Sequence, residues 1–199
     1  MPDRDLALFD FDGTITRSDT FTPFLYFVSS RGHIVRESLR LAPKILRYKL
    51  GLVPATRMRA IAAHSTFAGR SEAEIRGLGV AYARNVLPGV VRPHALERIR
   101  WHQQRGDHVV VVSASLDMYL RPWARALELD VIATDLSVEQ GILTGSYAGG
   151  DCTGSEKARR VQARYTLSRY PNVYAYGDTS EDEALLGLAS ERYFRWQKS

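Results

Sequence analysis

The stretch LALFDFDGTIT, residues 6–16, is an apolar run that ends in two carboxylates and a glycine. Leu6 to Phe9 have the nearly continuous apolar character of a strand that is covered on both faces of a parallel sheet. Asp10 and Asp12 follow directly, and burying two acids this close together is costly unless a cation compensates. The sequence therefore predicts a buried strand that carries two acids into a cation-binding site.

Composition places the chain among ordinary globular proteins. Its 199 residues, 45% hydrophobic and 25% charged, can form one domain or one domain with an insertion. The single cysteine, Cys152, excludes an internal disulfide and suits a reducing compartment. The first predicted strand leaves no room for a cleavable signal peptide, and no apolar run approaches the roughly 18 residues that span a bilayer. We therefore expect a cytoplasmic protein.

Short apolar runs alternate with helical patterns along the rest of the chain. Four such runs follow the first strand, at residues 108–115, 130–138, 172–178 and 192–196. Because this alternation is typical of βαβ units, we predict an α/β fold with a parallel sheet. The stretch EQGILTGSYAG, residues 139–149, predicts a small hairpin attached to the third strand.

The first connection is much longer than the others. Roughly 90 residues separate the first two predicted strands, whereas a crossover needs about 10 to 30. Helical patterns fill this stretch, so we predict a small helical domain at residues 19–87, inserted into a core formed by residues 1–18 and 88–199. Pro43 lies within one of the helical patterns, and we expect it to kink or split that helix.

Polar side chains end the predicted strands, at the edge where ligands collect in parallel sheets. Together with a lysine that opens the helix before the fourth strand, they are Asp10, Asp12, Ser113, Ser115, Lys157, Asp178 and Asp182. Several carboxylates suit Mg²⁺, which shares its coordination shell with a substrate phosphate. Such an ion screens an approaching phosphate dianion, so that a carboxylate can attack phosphorus.

Four of these features resemble the motifs of the haloacid-dehalogenase superfamily, in the same order and across the whole core. They are DFDGT at residues 10–14, Ser113 at a strand end, Lys157, and GDTSED at residues 177–182. The resemblance implies a Rossmann-like sheet, a phospho-aspartyl intermediate and, because of the insertion, a helical C1 cap. The stretches VVVVSAS, DVIATDL, GILTG and CTGSEK are similar to subfamily IB, with its phosphoserine phosphatase-like and phosphatidylglycerophosphatase C-like members.

The resemblance implies the catalytic roles. Asp10 corresponds to the nucleophile, which also faces the metal. Asp12 corresponds to the general acid that protonates the leaving oxygen and then to the base that activates water, and its backbone carbonyl would bind Mg²⁺. Lys157 corresponds to the cation that neutralises the nucleophile and the phosphoryl oxygens.

The resemblance also implies the binding roles. Ser113, with the backbone N–H of Ala114, corresponds to the position that holds the phosphate. Asp178 corresponds to a direct metal ligand, and Asp182 corresponds to an outer acid that orients a metal-bound water.

Three positions depart from the pattern of phosphoserine phosphatases. Glu181 stands in place of an Asn, Ala114 in place of a Gly, and Asp19 in place of the Glu that holds the substrate amine. These changes leave the chemistry intact but weaken phosphoserine as the substrate. Asp19 is therefore a candidate substrate contact, although a helix N-cap explains it equally well.

Much of the net charge of +5 is concentrated in the insertion, where eight basic residues between Arg31 and Arg59 stand against one acid, Glu37. Four of them recur at helical spacing while apolar residues occupy another face: Arg36, Arg40, Lys44 and Arg47 against Val35, Leu39, Leu46 and Leu50. Such a helix suits an anionic membrane, a solvated face, or a cap that packs on its own core and attracts phosphorylated substrates.

We therefore expect a Mg²⁺-dependent phosphomonoester hydrolase that acts on a small or lipid-linked phosphate. The basic cap favours a phosphatidylglycerophosphate-like lipid, with peripheral contact at the inner membrane surface as one alternative. A phosphoserine phosphatase-like metabolite phosphatase and a phosphotransferase also stay open. A nucleic-acid-binding module has the least support, since no aromatic-basic interleaving accompanies the charge, and we expect no nucleic-acid partner.

Overall fold

The structure, a computed structural model, describes residues 4–199. Its strands are β1 (Leu6–Phe9), β2 (His108–Leu116), β3 (Asp130–Glu139), β4 (Ile142–Ala148), β5 (Val173–Gly177), β6 (Glu191–Phe194) and β7 (Gln197–Lys198). They form one sheet in the order β4-β3-β2-β1-β5-β6-β7. The five inner strands pair in parallel, and β4 and β7 pair antiparallel at the edges. The predicted α/β fold and the hairpin of β3 and β4 are confirmed.

Nine helices connect the strands in the described part of the chain. They are α1 (Phe21–Phe27), α2 (Arg31–Lys49), α3 (Ala55–Phe67), α4 (Glu72–Asn85), α5 (Leu87–Val90), α6 (Pro93–Gln104), α7 (Asp117–Arg125), α8 (Ser155–Arg164) and α9 (Glu183–Leu186). Short helical turns follow β1 at Phe11–Ile15 and β5 at Ser180–Asp182.

Alternation of side chains along β1 divides the apolar interior into two layers. Leu6 and Leu8 pack in one layer, and Ala7 and Phe9 pack in the other. All four are fully buried because β1 lies between β2 and β5 at the centre of the sheet. Burying an aliphatic or aromatic side chain of this size contributes about 1.5–3 kcal/mol, so the strand that ends in Asp10 is firmly held.

Helices α1 to α4 occupy the long connection between β1 and β2. In this segment α3 packs against β4, and α4 packs against α7. The α4–α7 approach is so close that a Cβ on Gly79 would lie 2.1 Å from the backbone oxygen of Met118. Phe24, Phe67 and Tyr82 of the segment belong to the same apolar cluster as the sheet. The division of the chain at residues 19 and 87 stays a prediction.

Of the two effects expected of Pro43, the split is wrong, because α2 continues through it from Arg31 to Lys49, and the kink stays a prediction. Pro43 is exposed, so water can satisfy the carbonyl that loses its partner there. The strand expected at residues 192–196 ends at Phe194, since Arg195 and Trp196 adopt left-handed φ angles of 50° and 67° that turn the chain into β7.

Helix α2 is the least covered long helix. Of its residues only Leu41 is buried, whereas Val35, Leu39 and Leu46 are between 59% and 73% exposed. These three, with Leu50 after the helix, recur at spacings of four and seven and so form one outward apolar stripe. The same periodicity sets basic residues on both sides of it: Arg36, Arg40, Lys44 and Arg47 on one side, Arg31 and Lys49 on the other. Within residues 4–199, no helix has the length and apolarity needed to cross a bilayer.

Candidate active site

A buried triad of charges lies where β1 ends. The backbone N–H of Asp10 donates to the Tyr176 carbonyl at 2.9 Å, which continues the ladder with β5. Lys157, from the first turn of α8, contacts two carboxylates. Its Nζ lies 2.5 Å from Asp10 Oδ1 and 2.6 Å from Asp182 Oδ1. All three side chains are at least 94% buried. Part of the positive charge expected to compensate Asp10 is thus supplied by Lys157.

Burial and charge act in opposite directions on this triad. Burial raises the pKa of Asp10 above its usual value, and the Lys157 ammonium opposes that rise. Burial would lower the pKa of Lys157, but the charges of Asp10 and Asp182 outweigh it, so the pKa of Lys157 is raised. The lysine therefore stays charged at neutral pH.

Three carboxylates form a cluster that suits a divalent cation. One oxygen from each of Asp10, Asp178 and Asp182 lies within 4.8 Å of the others. Asp182 Oδ2 accepts the N–H groups of Asp178 and Thr179, each at 3.1 Å, and Thr14 Oγ1 donates to Asp178 at 3.2 Å. Burial raises the pKa of Asp178. This oxygen-only donor set fits Mg²⁺.

The loop after β1 leaves just enough space for Asp178. Gly13 has a φ of +85°, and a Cβ there would lie 2.3 Å from Asp178 Oδ2. Any other residue would therefore push the carboxylate out of the cluster. Arg92 holds the same loop, since its guanidinium donates to the carbonyls of Gly13 at 3.2 Å and Thr16 at 3.0 Å.

Asp12 points away from the acidic cluster. Its Oδ1 accepts the N–H and the hydroxyl of Thr20 at 2.8 and 2.6 Å, and its Oδ2 accepts the hydroxyl of Ser115. Tyr119 in turn donates to Ser115 Oγ at 2.7 Å. Burial raises the pKa of Asp12 to about 6, although the hydrogen bonds from Ser115 and Thr20 lower it. This carboxyl group can therefore exchange a proton near neutral pH.

Sequence reasoning placed Ser115 at the site as one of the polar residues that end the second strand, but it missed Thr20 and Tyr119. Thr20 follows the loop that starts the insertion, and Tyr119 lies on α7, with its hydroxyl 3.1 Å from Thr20 Oγ1. Nothing in their spacing connects them to Asp12, so only the fold reveals this network.

The cleft above these residues has a volume of about 360 Å³. It is lined by most of the predicted site residues: Asp10, Asp12, Asp19, Ser113, Ala114, Lys157 and Asp182. Asp178 lies beside it in the acidic cluster. Ser113 is 1% exposed, and its Oγ accepts the N–H of Ser115 at 3.0 Å. The strand ends thus bring the predicted residues together.

The predicted substrate contact Asp19 has a local structural role. Its carboxylate accepts the N–H groups of Phe21 at 3.1 Å and Thr22 at 3.0 Å, as a residue that caps the start of α1 does. It also lines the cleft, so a role in binding stays a prediction.

An ion-pair cluster that the sequence did not indicate closes one side of the cleft. Arg59 of α3 lies 3.1 Å from Asp151 and 3.5 Å from Glu181. Glu181, the residue that departs from the motif, accepts the hydroxyl of Thr153 at 2.5 Å. These contacts join the inserted helices to the loop before α8 and to the turn after β5.

Comparison with known proteins agrees with this geometry. A family profile for haloacid dehalogenase-like hydrolases matches residues 7–187. The protein CicA of Caulobacter vibrioides is 32% identical over 195 residues, which cover 96% of this chain and 85% of that protein. A Mycobacterium tuberculosis protein named as a probable phosphatase is 30% identical over 189 residues, which cover 92% of this chain and 66% of its own length.

The fold has solved counterparts. The structure of a phospho-aspartyl intermediate analogue of phosphoserine phosphatase superposes with a TM-score of 0.66 at 19% identity, covering 96% of this chain and 86% of that one. The likeness supports the Rossmann-like arrangement of the sheet, and the resemblance drawn from the motifs is confirmed at the level of the superfamily. This chain belongs to the haloacid dehalogenase-like hydrolase family of enzymes.

Proposed function

We propose that the protein is a Mg²⁺-dependent phosphatase that hydrolyses phosphate monoesters through a phospho-aspartyl intermediate on Asp10. The observation that carries this proposal is the triad of Asp10, Lys157 and Asp182 at the floor of an acidic cleft. A buried carboxylate beside a permanent cation is a poor structural element but a good nucleophile toward a phosphate. The similarity to a probable phosphatase supports the same reaction class.

The first half-reaction uses Asp10 and Asp12. Lys157 occupies Oδ1 of Asp10 and leaves Oδ2 to form a bond to phosphorus. As that bond forms, the bond from phosphorus to the leaving oxygen breaks, and Asp12 gives its proton to that oxygen. Thr20 and Ser115 keep the Asp12 carboxyl aimed at the position of the leaving group. Proton transfer of this kind contributes about 10²–10⁴-fold to the rate.

The second half-reaction restores the enzyme. Asp12, now a carboxylate, takes a proton from water, whose oxygen bonds to phosphorus while the bond from phosphorus to Asp10 breaks. Ser113 and the N–H of Ala114 hold the phosphoryl oxygens, and Lys157 balances their charge. Asp10, Asp178 and the backbone carbonyl of Asp12 would hold Mg²⁺, with Asp182 behind them. When bound, the ion supplies charge that allows an anionic nucleophile to approach an anionic phosphate.

The substrate class we propose is a lipid-linked phosphate presented at an anionic membrane surface. Support comes from α2, where an exposed apolar stripe is flanked by basic residues on both sides, as in helices that lie in a membrane interface. In this account residues 19–87 act as the cap over the cleft. A soluble phosphorylated metabolite is the second candidate, which the fold shared with phosphoserine phosphatase favours.

A substrate panel tests the proposal. Lipid and metabolite phosphate monoesters are offered with Mg²⁺ or with a chelator, each with and without vesicles that contain an anionic lipid. We expect phosphate release only with Mg²⁺, and faster release from lipid phosphates when vesicles are present. Release that is equal with chelator would contradict the metal assignment, and a preference for soluble metabolites would contradict the lipid assignment. Product analysis separates hydrolysis from phosphoryl transfer to a second acceptor.

A further inference from the structure

A second cavity, with a volume of about 500 Å³, lies among α1, α2 and α3. Its walls are largely apolar: Leu25 from α1, Ile34, Leu41 and Ile45 from α2, and Met58 and Ala62 from α3. We call this cavity the cap chamber. Its size falls within the range of small-molecule sites, about 300–1,000 Å³.

The cap chamber adjoins the active-site cleft. Asp19, Phe21 and Arg59 line both cavities, so these three side chains lie at the boundary between them, which we call the neck. Carboxylates, hydroxyls and Lys157 predominate on the cleft side, whereas apolar surface predominates on the chamber side, with polar residues such as Ser38 and Thr66 among it. A molecule that extends through the neck would thus meet a polar environment at one end and an apolar one at the other.

Glu37, an acidic residue in the chamber wall, already has hydrogen-bond and ion-pair partners within the protein. Glu37 accepts the hydroxyl of Ser65 at 2.5 Å and pairs with Arg40 at 3.4 Å. The hydrogen bond from Ser65 and the neighbouring cations lower its pKa. Glu37 is therefore not a free partner for a cationic or hydrogen-bonding ligand, and what the chamber offers to a ligand is mainly apolar contact.

We infer that the cap chamber binds the hydrocarbon chain of a substrate whose phosphate lies at Asp10. This inference rests on the proposed function and extends it to the part of the substrate beyond the phosphate. Helix α2 separates the chamber from the apolar stripe that we propose contacts the membrane. Ile34, Leu41 and Ile45 line the chamber, whereas Leu39 and Leu46 lie on the exposed stripe. A hydrocarbon chain of the substrate that leaves a bilayer beside α2 therefore passes from the apolar interior of the bilayer into the apolar cap chamber.

Alkylphosphonates of increasing length test the inference without requiring turnover, since their carbon–phosphorus bond is not hydrolysed. Dissociation constants of butylphosphonate and octylphosphonate are measured by calorimetry with Mg²⁺ present and below the micelle concentration. Each methylene that enters the chamber tightens binding by up to about fourfold. We expect octylphosphonate to bind wild-type protein at least about tenfold more tightly than butylphosphonate.

Two variants locate the effect. Ala62→Phe fills the chamber and Ile45→Ser makes its wall polar, and both should bring the two dissociation constants within about threefold while butylphosphonate binding stays unchanged. Leu46→Ser, on the exposed stripe, is the matched control and should keep the wild-type difference. Circular dichroism confirms that each variant is folded.

The outcomes separate this inference from the proposed function. The cap chamber would be overturned as the site of the hydrocarbon chain by either of two results. One is that the wild type binds butylphosphonate and octylphosphonate equally tightly, and the other is that both chamber variants keep the wild-type difference between the two dissociation constants. Chain-length dependence that the chamber variants remove, in a protein that releases no phosphate from any monoester, would uphold the chamber and overturn the phosphatase proposal instead.

Discussion

Lys157 Nζ lies 2.5 Å from Asp10 Oδ1 although 147 positions separate the two residues in the chain. The second contact of the ammonium, with Asp182, makes it a bridge between the carboxyl ends of β1 and β5. The lysine thus compensates two buried acids whose like charges would otherwise repel each other, and it contacts Asp10 at the oxygen next to the proposed attacking one.

Replacing Lys157 tests this bridge. We expect Lys157→Met to lower kcat by about 10²–10³-fold, because a preorganised positive charge at the phosphoryl group is lost. The variant should also lose about 3–5 kcal/mol in the free energy of unfolding, since two buried acids lose their cation. Steady-state kinetics and urea unfolding measure the two effects.

The control is Lys198→Met, at an exposed ion pair with Glu191. It should leave both the free energy of unfolding and kcat close to their wild-type values, because an exposed ion pair contributes little. A Lys157→Met enzyme with wild-type kcat would show that the bridge has no part in the reaction.

The raised pKa of Asp12, about 6, predicts a pH dependence. The first step requires Asp12 to be protonated, and the protonated fraction falls as the pH rises above that value. Alkyl phosphates need the proton, whereas p-nitrophenyl phosphate has a leaving group that departs without it. The ratio of kcat/KM for the alkyl ester to that for the nitrophenyl ester should therefore fall by about tenfold per pH unit above about pH 7.5, where both esters are dianions.

Ser115→Ala extends this test. The Ser115 hydroxyl favours the Asp12 carboxylate and lowers its pKa, so its removal should raise that pKa and move the fall in the ratio to higher pH. Val80→Ala, on an exposed position of α4, should leave the profile in place. A ratio that stays flat between about pH 7.5 and 9.5 in the wild type, where both esters are dianions, would remove Asp12 from the role of general acid.

Gly13 and Gly106 form a matched pair for the metal site. Both have a positive φ, +85° and +79°, but a Cβ on Gly13 would meet Asp178 at 2.3 Å, whereas a Cβ on Gly106 meets nothing within 4 Å. Each Gly→Ala change should cost about 1–2 kcal/mol of stability from backbone strain. Only Gly13→Ala should also weaken Mg²⁺ binding, by about 10–100-fold, because it displaces a carboxylate of the cluster. Mg²⁺ titration followed by thermal unfolding measures this, and equal affinities in the two variants would argue against a metal site at Asp178.

The exposed stripe of α2 predicts a measurable affinity for anionic vesicles. The double variant Leu39→Gln and Leu46→Gln should lower the partition coefficient by about tenfold or more, since each leucine contributes about 1.5–3 kcal/mol when it is buried. Val80→Gln removes an exposed apolar side chain of α4 and should have little effect. Vesicle sedimentation gives the partition coefficients. If the double variant binds as well as the wild type, α2 is not the membrane contact.

The sequence predicts the sheet and the acids well because both depend on local pattern. Continuous apolar runs identify β1, β2, β3 and β5, and polar residues that end such runs must converge at one edge of a parallel sheet. This reasoning brings Asp10, Ser113 and Asp182 together without any knowledge of tertiary contacts.

Contacts between distant segments were beyond such reasoning. Thr20 and Tyr119 meet at Asp12 only because the start of the insertion packs on α7. Arg59 reaches Asp151 across 92 positions, and no periodicity relates them. The split expected at Pro43 does not occur for a related reason: whether a proline ends a helix depends on whether water can reach the freed carbonyl, and exposure is a tertiary property.

The proposed mechanism transfers the phosphoryl group to Asp10, and trapping that intermediate tests it directly. A lipid phosphate or p-nitrophenyl phosphate is mixed with enzyme and Mg²⁺, quenched in the steady state, and treated with borohydride, which reduces an aspartyl phosphate to homoserine. We expect peptide mass spectrometry to find homoserine at position 10 in the wild type, and none in an Asp10→Asn variant that is folded but inactive. Steady turnover by the wild type with an unmodified Asp10, or with the label at another residue, would contradict the proposed mechanism.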